Sequence, residues 1–273
     1  MYLTPDFPKR IGLIAGGTNY PVLLSKEAKK KNVDVYAVGI KGLTSKTVEE
    51  HVKEIIWIEF GELVPLIKFF KKNKIKYAIM AGNVKKADLF KDIKLDVLTH
   101  QILNDTNDKS DMNLLAVAAN ILKKSHVELI DARTFLEEYI PKKGCLTKNA
   151  PNSHEWEDIM FGWKLAKSIS AFDVGLTVAV KDKVVLSIEA IEGTNEALKR
   201  AVKYGGDSFV VVKVARPNQD MRFELPVVGL ETIKLLKQVK AKVMAIEAEK
   251  TLFFDIKEAI KVADKNKISI IAV

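Results

Sequence analysis

The feature that most constrains this chain is a rhythm. Short apolar runs of strand length recur, each separated from the next by an amphipathic stretch long enough for a helix. Residues 11–15, 33–38, 55–58, 77–80 and 127–130 read as strands. Helices are predicted over 21–31, 62–73 and 111–124, and the less regular segment 92–110 has room for a short one. Strands that alternate with helices of this size fold into a mainly parallel sheet.

The second half keeps the rhythm but opens with a hairpin. Strands 174–180 and 184–190 flank Lys181-Asp182-Lys183; then come a helix from Thr194, a natural N-cap, to about 204 and a strand at 209–214. A long polar loop, 215–226, precedes helix 229–239, strand 242–246, helix 254–264 and strand 268–273. The expected class is therefore α/β in both halves, parallel in the first and with a mixed sheet in the second. Between them lies a polar stretch with Pro141 and Pro151 at its ends, read as a linker (141–151) that divides a domain at 1–140 from one at 152–273. The Asn152-x-x-Glu155 pattern marks the next helix start.

Composition excludes several classes. The 273 residues suit two domains, and 48% hydrophobic with 29% charged residues supports a packed core. No apolar run reaches the roughly 18 residues that cross a bilayer. Met1–Arg10 lacks an apolar signal core, so a cytoplasmic location is expected. The single Cys145 rules out an intramolecular disulfide and a CxxC metal site. His51, His100, His126 and His154 are scattered and form no zinc-enzyme or serine-hydrolase signature. The net charge of +9 favours anionic partners, but no zinc-finger spacing or aromatic RNA-binding run accompanies the lysines, and nucleic acid is not expected.

In open α/β sheets ligands gather at the carboxyl ends of parallel strands. There the first half places Gly16-Gly17 and, after a later strand, Gly82-Asn83. Either pair serves a phosphate or sugar contact, or only a tight turn. The pattern is not GxGxxG, and Val38-Gly39 stands where a dinucleotide site needs an acid, which disfavours a nucleotide-dependent oxidoreductase. In the second half, strand ends carry Glu189, Glu192, Thr194, Lys213 and Glu247, and the long loop adds Asp220 and Arg222. Carboxylates bind hard Mg²⁺, arginine matches phosphate bidentately, and lysine adds a compact charge. Glu189 and Glu192 reach one side only if the chain turns near Ile191. Lys213, inside an apolar run, either reaches solvent or pairs with a carboxylate or phosphate. Asp220 and Arg222 also stand close enough to pair with each other.

At these residues the chain resembles the LpxI family of lipid A biosynthesis. The shared segments are Ile11-Gly-Leu-Ile-Ala-Gly-Gly17, Ala171-Phe-Asp-Val-Gly175, Ile188-Glu-Ala-Ile-Glu-Gly-Thr194, Lys213-Val-Ala-Arg-Pro-Asn-Gln-Asp-Met-Arg222, Leu225-Pro-Val-Val-Gly229 and Ala245-Ile-Glu247. They span nearly the whole chain. The resemblance implies a Rossmann-like N-terminal domain, a C-terminal α/β domain and Mg²⁺-dependent hydrolysis of UDP-2,3-diacylglucosamine to 2,3-diacylglucosamine 1-phosphate (lipid X) and UMP. It places the essential aspartate at Asp220, with Glu224 a rival. Asp220, Glu189, Glu192 and Glu247 are then expected to hold the metal. Asp220, Lys213 and Arg222 are expected to act on the diphosphate, and Gly16, Gly17, Gly82, Asn83 and Thr194 to contact the substrate. Two departures stand out: Leu176 where the family often has glutamine, and Lys109-Ser110-Asp111 in place of its Gly-Asp-Asp, which leaves only Asp111. The lipid-linked UDP-sugar implies peripheral contact with the inner face of the inner membrane, for which the basic stretch 68–76 is available. Assembly as a homodimer is left open. The rival reading is a nucleotide-sugar or lipid binding protein without chemistry.

Overall fold

The computed structural model describes residues 8–83, 96–99, 111–223 and 225–273. The chain forms two compact units, Met1–Glu137 with Asp220–Glu224, and Glu138–Gln219 with Leu225–Val273. Most of segment 92–110 lies outside the described residues.

The first unit carries the expected parallel sheet. Strands β1 (Arg10–Ala15), β2 (Asp34–Ile40), β3 (Glu54–Ile58), β4 (Tyr77–Ala81) and β5 (Glu128–Leu129) lie in the order β3-β2-β1-β4-β5, every pairing parallel. Helices α1 (Tyr20–Lys30), α2 (Leu63–Lys72) and α3 (Asp111–Lys124) make the crossovers. Right-handed crossovers that run from β1 to β2 in one direction and from β3 back to β4 in the other put α1 and α2 on opposite faces, a Rossmann-like arrangement. On one face Leu66, Phe69 and Phe70 of α2 and Leu122 of α3 pack with Val38, Ala78 and Leu129. Phe223 is buried in that same cluster. Its ring gives the physical reason that five residues so late in the chain belong to the first unit.

Strand order reverses beside β1, and the crevice of such a sheet opens there. The turns after β1 and β4 meet at this point. Gly16 N–H donates to Ala81 O and Gly17 N–H to Asn83 O, each at 2.8 Å. Gly82 sits at φ +91°, and a Cβ on it would lie 2.2 Å from Gly17 O. These glycines thus let two backbones run against each other, and the two N–H groups are engaged by neighbouring carbonyls.

The second unit holds a mixed six-stranded sheet. Its strands are β6 (Gly144–Cys145), β7 (Thr177–Lys181), β8 (Val184–Ile188), β9 (Val210–Lys213), β11 (Val243–Ile246) and β13 (Ser269–Ala272), in the order β6-β13-β11-β9-β7-β8. A separate pair, β10 (Val227–Val228) and β12 (Leu252–Phe253), lies parallel. Strand faces alternate as period two requires. Val210, Val212, Val243 and Ala245 pack on helix α4 (Ser153–Ala171) through Ile159 and Ala166. Val211, Met244 and Ile246 pack on α5 (Thr194–Gly205), α6 (Leu230–Gln238) and α7 (Ile256–Lys265) through Leu198, Leu236 and Ala259.

Local signals account for several boundaries. Asn152 and Glu155 form the full capping box at the start of α4. Asp182 and Lys183 both have positive φ, as a two-residue turn between right-twisted strands demands. Asp158 accepts both of their N–H groups, at 2.9 and 2.7 Å. The stretch read as a linker has a different part: within it β6 pairs antiparallel with β13 at the sheet edge, and Thr147 Oγ1 accepts Ile270 N–H.

Gly82→Ala should cost about 1–3 kcal/mol, since the side chain meets a carbonyl at a backbone angle that L residues avoid. Urea unfolding of the variant against the unaltered protein measures it; an unchanged midpoint would contradict the interlocked turns.

Candidate active site

β7 runs against β9, and β8 runs against β7. Two reversals restore direction, so β8 points the same way as β9 and β11, which are parallel to each other. The carboxyl ends of all three therefore share one rim, with the start of β7 among them. Gly175 permits the close fit: a Cβ there would lie 2.0 Å from Glu189 O.

Lys213, the last residue of β9, is 7% exposed. Its ammonium donates to Thr177 Oγ1 and Thr194 Oγ1, each at 3.1 Å, and stands 3.7 Å from Glu189 Oε2. Thr194 in turn donates to Glu189 Oε1 at 2.6 Å. The N-cap of α5 is Gly193 rather than Thr194, whose hydroxyl is committed to this cluster. Burial pushes the Glu189 acid up, but the Lys213 charge and hydrogen bonds from Thr177, Thr194 and the Leu176 N–H together hold it below the usual range. None of these donors reaches Glu189 Oε2 with bonding geometry, and that buried oxygen has no hydrogen-bond partner.

The expected turn near Ile191 is present, closed by Gly193 N–H to Ala190 O at 3.1 Å. It carries Glu192, whose Oε1 lies 2.8 Å from Arg200 Nη1 but off the bonding axis, so this buried oxygen too lacks a hydrogen bond. Glu247 follows β11 and is fully engaged. Its Oε2 accepts from Lys167 Nζ at 2.6 Å and Ala215 N–H at 2.8 Å, while Lys250 reaches Oε1 at 2.9 Å. Burial raises its pKa, and these cations and the amide outweigh that effect, lowering it.

Asp220 and Arg222 belong to the first unit, in the segment anchored by Phe223. They do pair with each other. Arg222 donates through Nε and its own N–H to Asp220 Oδ1, each at 3.0 Å, and through Nη2 to Oδ2 at 2.6 Å. The Arg222 hydrogen bond keeps the Asp220 acid below its ordinary range, and Asp220 raises the guanidinium in return. Glu224 lies outside the described residues, as does the side chain of Asp111.

The four expected metal ligands thus differ. Both oxygens of Asp220 and of Glu247 already take hydrogen bonds or ion pairs; Glu189 Oε2 and Glu192 Oε1 lack a hydrogen bond, but each faces a cation, Lys213 at 3.7 Å and Arg200 at 2.8 Å. A hard divalent ion at either acid would take most of its ligands from water and phosphate and would share the carboxylate oxygen with the neighbouring cation. Among the described residues no group of three or more His, Cys, Asp or Glu side chains is gathered to hold a metal. Sequence reasoning missed Lys167 and Thr177, whose importance comes from pairing across elements. It also missed Asp131-Ala132-Arg133 after β5, where the Asp-x-Arg spacing of 220–222 is repeated.

Breaking the Lys167 pair gives a test. Glu247 has a depressed folded pKa, so its contribution to stability is full above the unfolded value and is lost as pH falls through the folded one. Lys167→Met should cost about 2 kcal/mol near pH 7. In urea unfolding the gap should close as the solution is taken below about pH 4, the range in which an ordinary glutamate protonates; a pH-independent gap would point to lost packing instead.

Known proteins bear on this geometry. The LpxI N-terminal domain model matches residues 10–139 and the LpxI C-terminal domain model residues 142–271. A UDP-2,3-diacylglucosamine pyrophosphatase LpxI from Caulobacter vibrioides is 26% identical over 268 residues, covering 94% of each chain. Among solved structures, a biotin carboxylase domain of the Hydrogenobacter thermophilus 2-oxoglutarate carboxylase matches at 12% identity and a TM-score of 0.28, over 72% of this chain and 42% of that one. An N5-carboxyaminoimidazole ribonucleotide synthetase from Thermus thermophilus matches at 14% identity and a TM-score of 0.28, over 74% and 45%. This chain spans less than half of either structure, and likenesses that distant say nothing about it. Both halves match their own family models in the order the family has them, and the chain belongs to the LpxI family.

Proposed function

We propose that this protein hydrolyses the diphosphate of UDP-2,3-diacylglucosamine, releasing UMP and 2,3-diacylglucosamine 1-phosphate. The observation that carries this reading is the match along 94% of both chains to the Caulobacter UDP-2,3-diacylglucosamine pyrophosphatase, together with both domain models. The side chains described above suit the chemistry. Hydrolysis forms a bond from a water oxygen to one phosphorus, breaks that phosphorus's bond to the bridging oxygen and releases a proton. At the rim of the first unit, Asp220 is held ionised by Arg222, and an ionised carboxylate acts only as an acceptor. It would orient water or take its proton. Arg222 uses Nε and Nη2 on Asp220, and Nη1 is its edge toward phosphate oxygens.

At the rim of the second unit, Lys213 is a buried cation fixed by two hydroxyls, and so supplies charge without reorganisation. Thr194 shares that cluster. Gly16, Gly17, Gly82 and Asn83 shape the crevice of the first sheet, where a sugar or phosphate would lie. Glu189 and Glu192 would hold Mg²⁺, which polarises a phosphoryl oxygen and lowers the pKa of bound water.

The acyl chains of such a substrate bring the protein to a bilayer surface as a peripheral partner, at the inner face of the inner membrane. Among the described residues no helix is long and apolar enough to cross a membrane. In the basic stretch 68–76, Phe69 and Phe70 are buried in the core, so its lysines alone are available to anionic lipid.

Purified protein incubated with UDP-2,3-diacylglucosamine in mixed micelles and Mg²⁺ should release UMP and the lipid monophosphate in equal amounts, and chelation should stop it. Binding without UMP would favour a non-catalytic carrier. Asp220→Ala should lower turnover by about a hundredfold or more with the thermal unfolding curve unchanged. Full turnover by that variant would remove Asp220 from the mechanism.

A further inference from the structure

The first unit contains a second copy of the Asp220–Arg222 device, and the two copies are joined. In residues 131–133, Arg133 donates to Asp131 Oδ1 through its N–H at 2.8 Å and Nε at 3.0 Å, and to Oδ2 through Nη2 at 2.6 Å. Residues 220–222 repeat this atom for atom, with the same donors on the same oxygens. The middle residues connect them, as Ala132 N–H donates to Met221 O at 2.8 Å. Tyr20, at the start of α1 just beyond the Gly16-Gly17 turn, donates its hydroxyl to Ala132 O. Burial, then the charge of Asp131, pushes the Tyr20 pKa well up, so the phenol stays protonated and remains a donor.

The two brackets differ in exposure. Asp131 and Arg133 are 7% and 12% exposed at their side chains, against 31% and 41% for Asp220 and Arg222. One bracket is largely buried and the other is partly exposed. We propose that Tyr20, Asp131 and Arg133 are positioning residues that form a rigid seat fixing Asp220 and Arg222 in their working geometry. The link to catalysis rests on the function proposed above, while the seat itself stands on the hydrogen bonds alone. The seat matters because 220–223 has no helix or strand of its own. It is held from below by Phe223 and at its middle by the Ala132 bond. An error of about 1 Å in a catalytic group lowers turnover by up to 10²-fold.

Tyr20→Phe and Arg133→Lys, made separately, test this with two readouts. Hydrogen exchange read by mass spectrometry should become at least severalfold faster in a peptide covering 220–224 and stay the same in the second unit. With saturating UDP-2,3-diacylglucosamine and Mg²⁺, kcat should fall about tenfold while KM stays within twofold, a split that general loss of folded protein does not produce. If Tyr20→Phe lowers the unfolding temperature by many degrees, Arg133→Lys decides. Unchanged exchange at 220–224, or exchange that quickens while kcat stays at its original value, overturns the proposal. Should the unaltered protein release no UMP, the hydrolase reading fails, and the exchange result alone decides whether the seat exists.

Discussion

A lysine at the end of a buried strand sets the terms for the second unit. Placing the Lys213 ammonium at 7% exposure is costly unless acceptors surround it. No single neighbour supplies them. Thr177 comes from the start of β7, Thr194 from the first residue of α5, and Glu189 from the turn beyond β8. These meet because β7 is inserted antiparallel beside β9, in a register that puts Thr177 opposite Lys213. A purely parallel sheet would bring strand ends, never a strand start, to that rim. The hairpin that makes the sheet mixed is therefore what allows the charge to be buried.

Much of this was legible because it is local. Period-two and helical patterning located the main strands and helices, and a three-residue spacing located the box at Asn152. Patterning put Glu189, Lys213 and Glu247 at or just beyond strand ends; that these ends share a rim depends on β8, β9 and β11 running the same way, which the pairings show. What failed to show was contact between residues far apart in sequence. Phe223 stands in a polar loop flanked by second-unit residues, and nothing in its neighbours says that its ring packs with Leu129 and Phe70. The two-residue strand β6 is too short to carry a period, so prolines and polarity made it look like a linker. Lys213 was balanced between solvent and a partner, and only the register of β7 decides it. Thr194 looked like a cap because capping needs one hydroxyl; the same hydroxyl serves a buried charge instead, and Gly193 takes the cap.

The charge pattern alters the meaning of the +9 net charge. Each acid in the candidate site has a cation beside it: Lys213 for Glu189, Arg200 for Glu192, Lys167 and Lys250 for Glu247, and Arg222 for Asp220. The basic excess lies elsewhere. Lys29 and Lys30 end α1, and Lys71 and Lys72 end α2, where lysine complements the helix dipole and stays in water. A general basic field therefore does not describe how these rims would receive an anion. Matched pairs hold each guanidinium and ammonium at a fixed angle with little net charge, so an arriving phosphate would be met by oriented donors. Oriented donors stabilise charge that develops during a reaction more than charge already present in the ground state, because they need not reorganise as the charge shifts. The bracket of Asp220 and Arg222, mounted on a buried duplicate of itself, carries that principle furthest in this fold: its acid keeps the guanidinium aimed, and the backbone beneath it keeps the acid still.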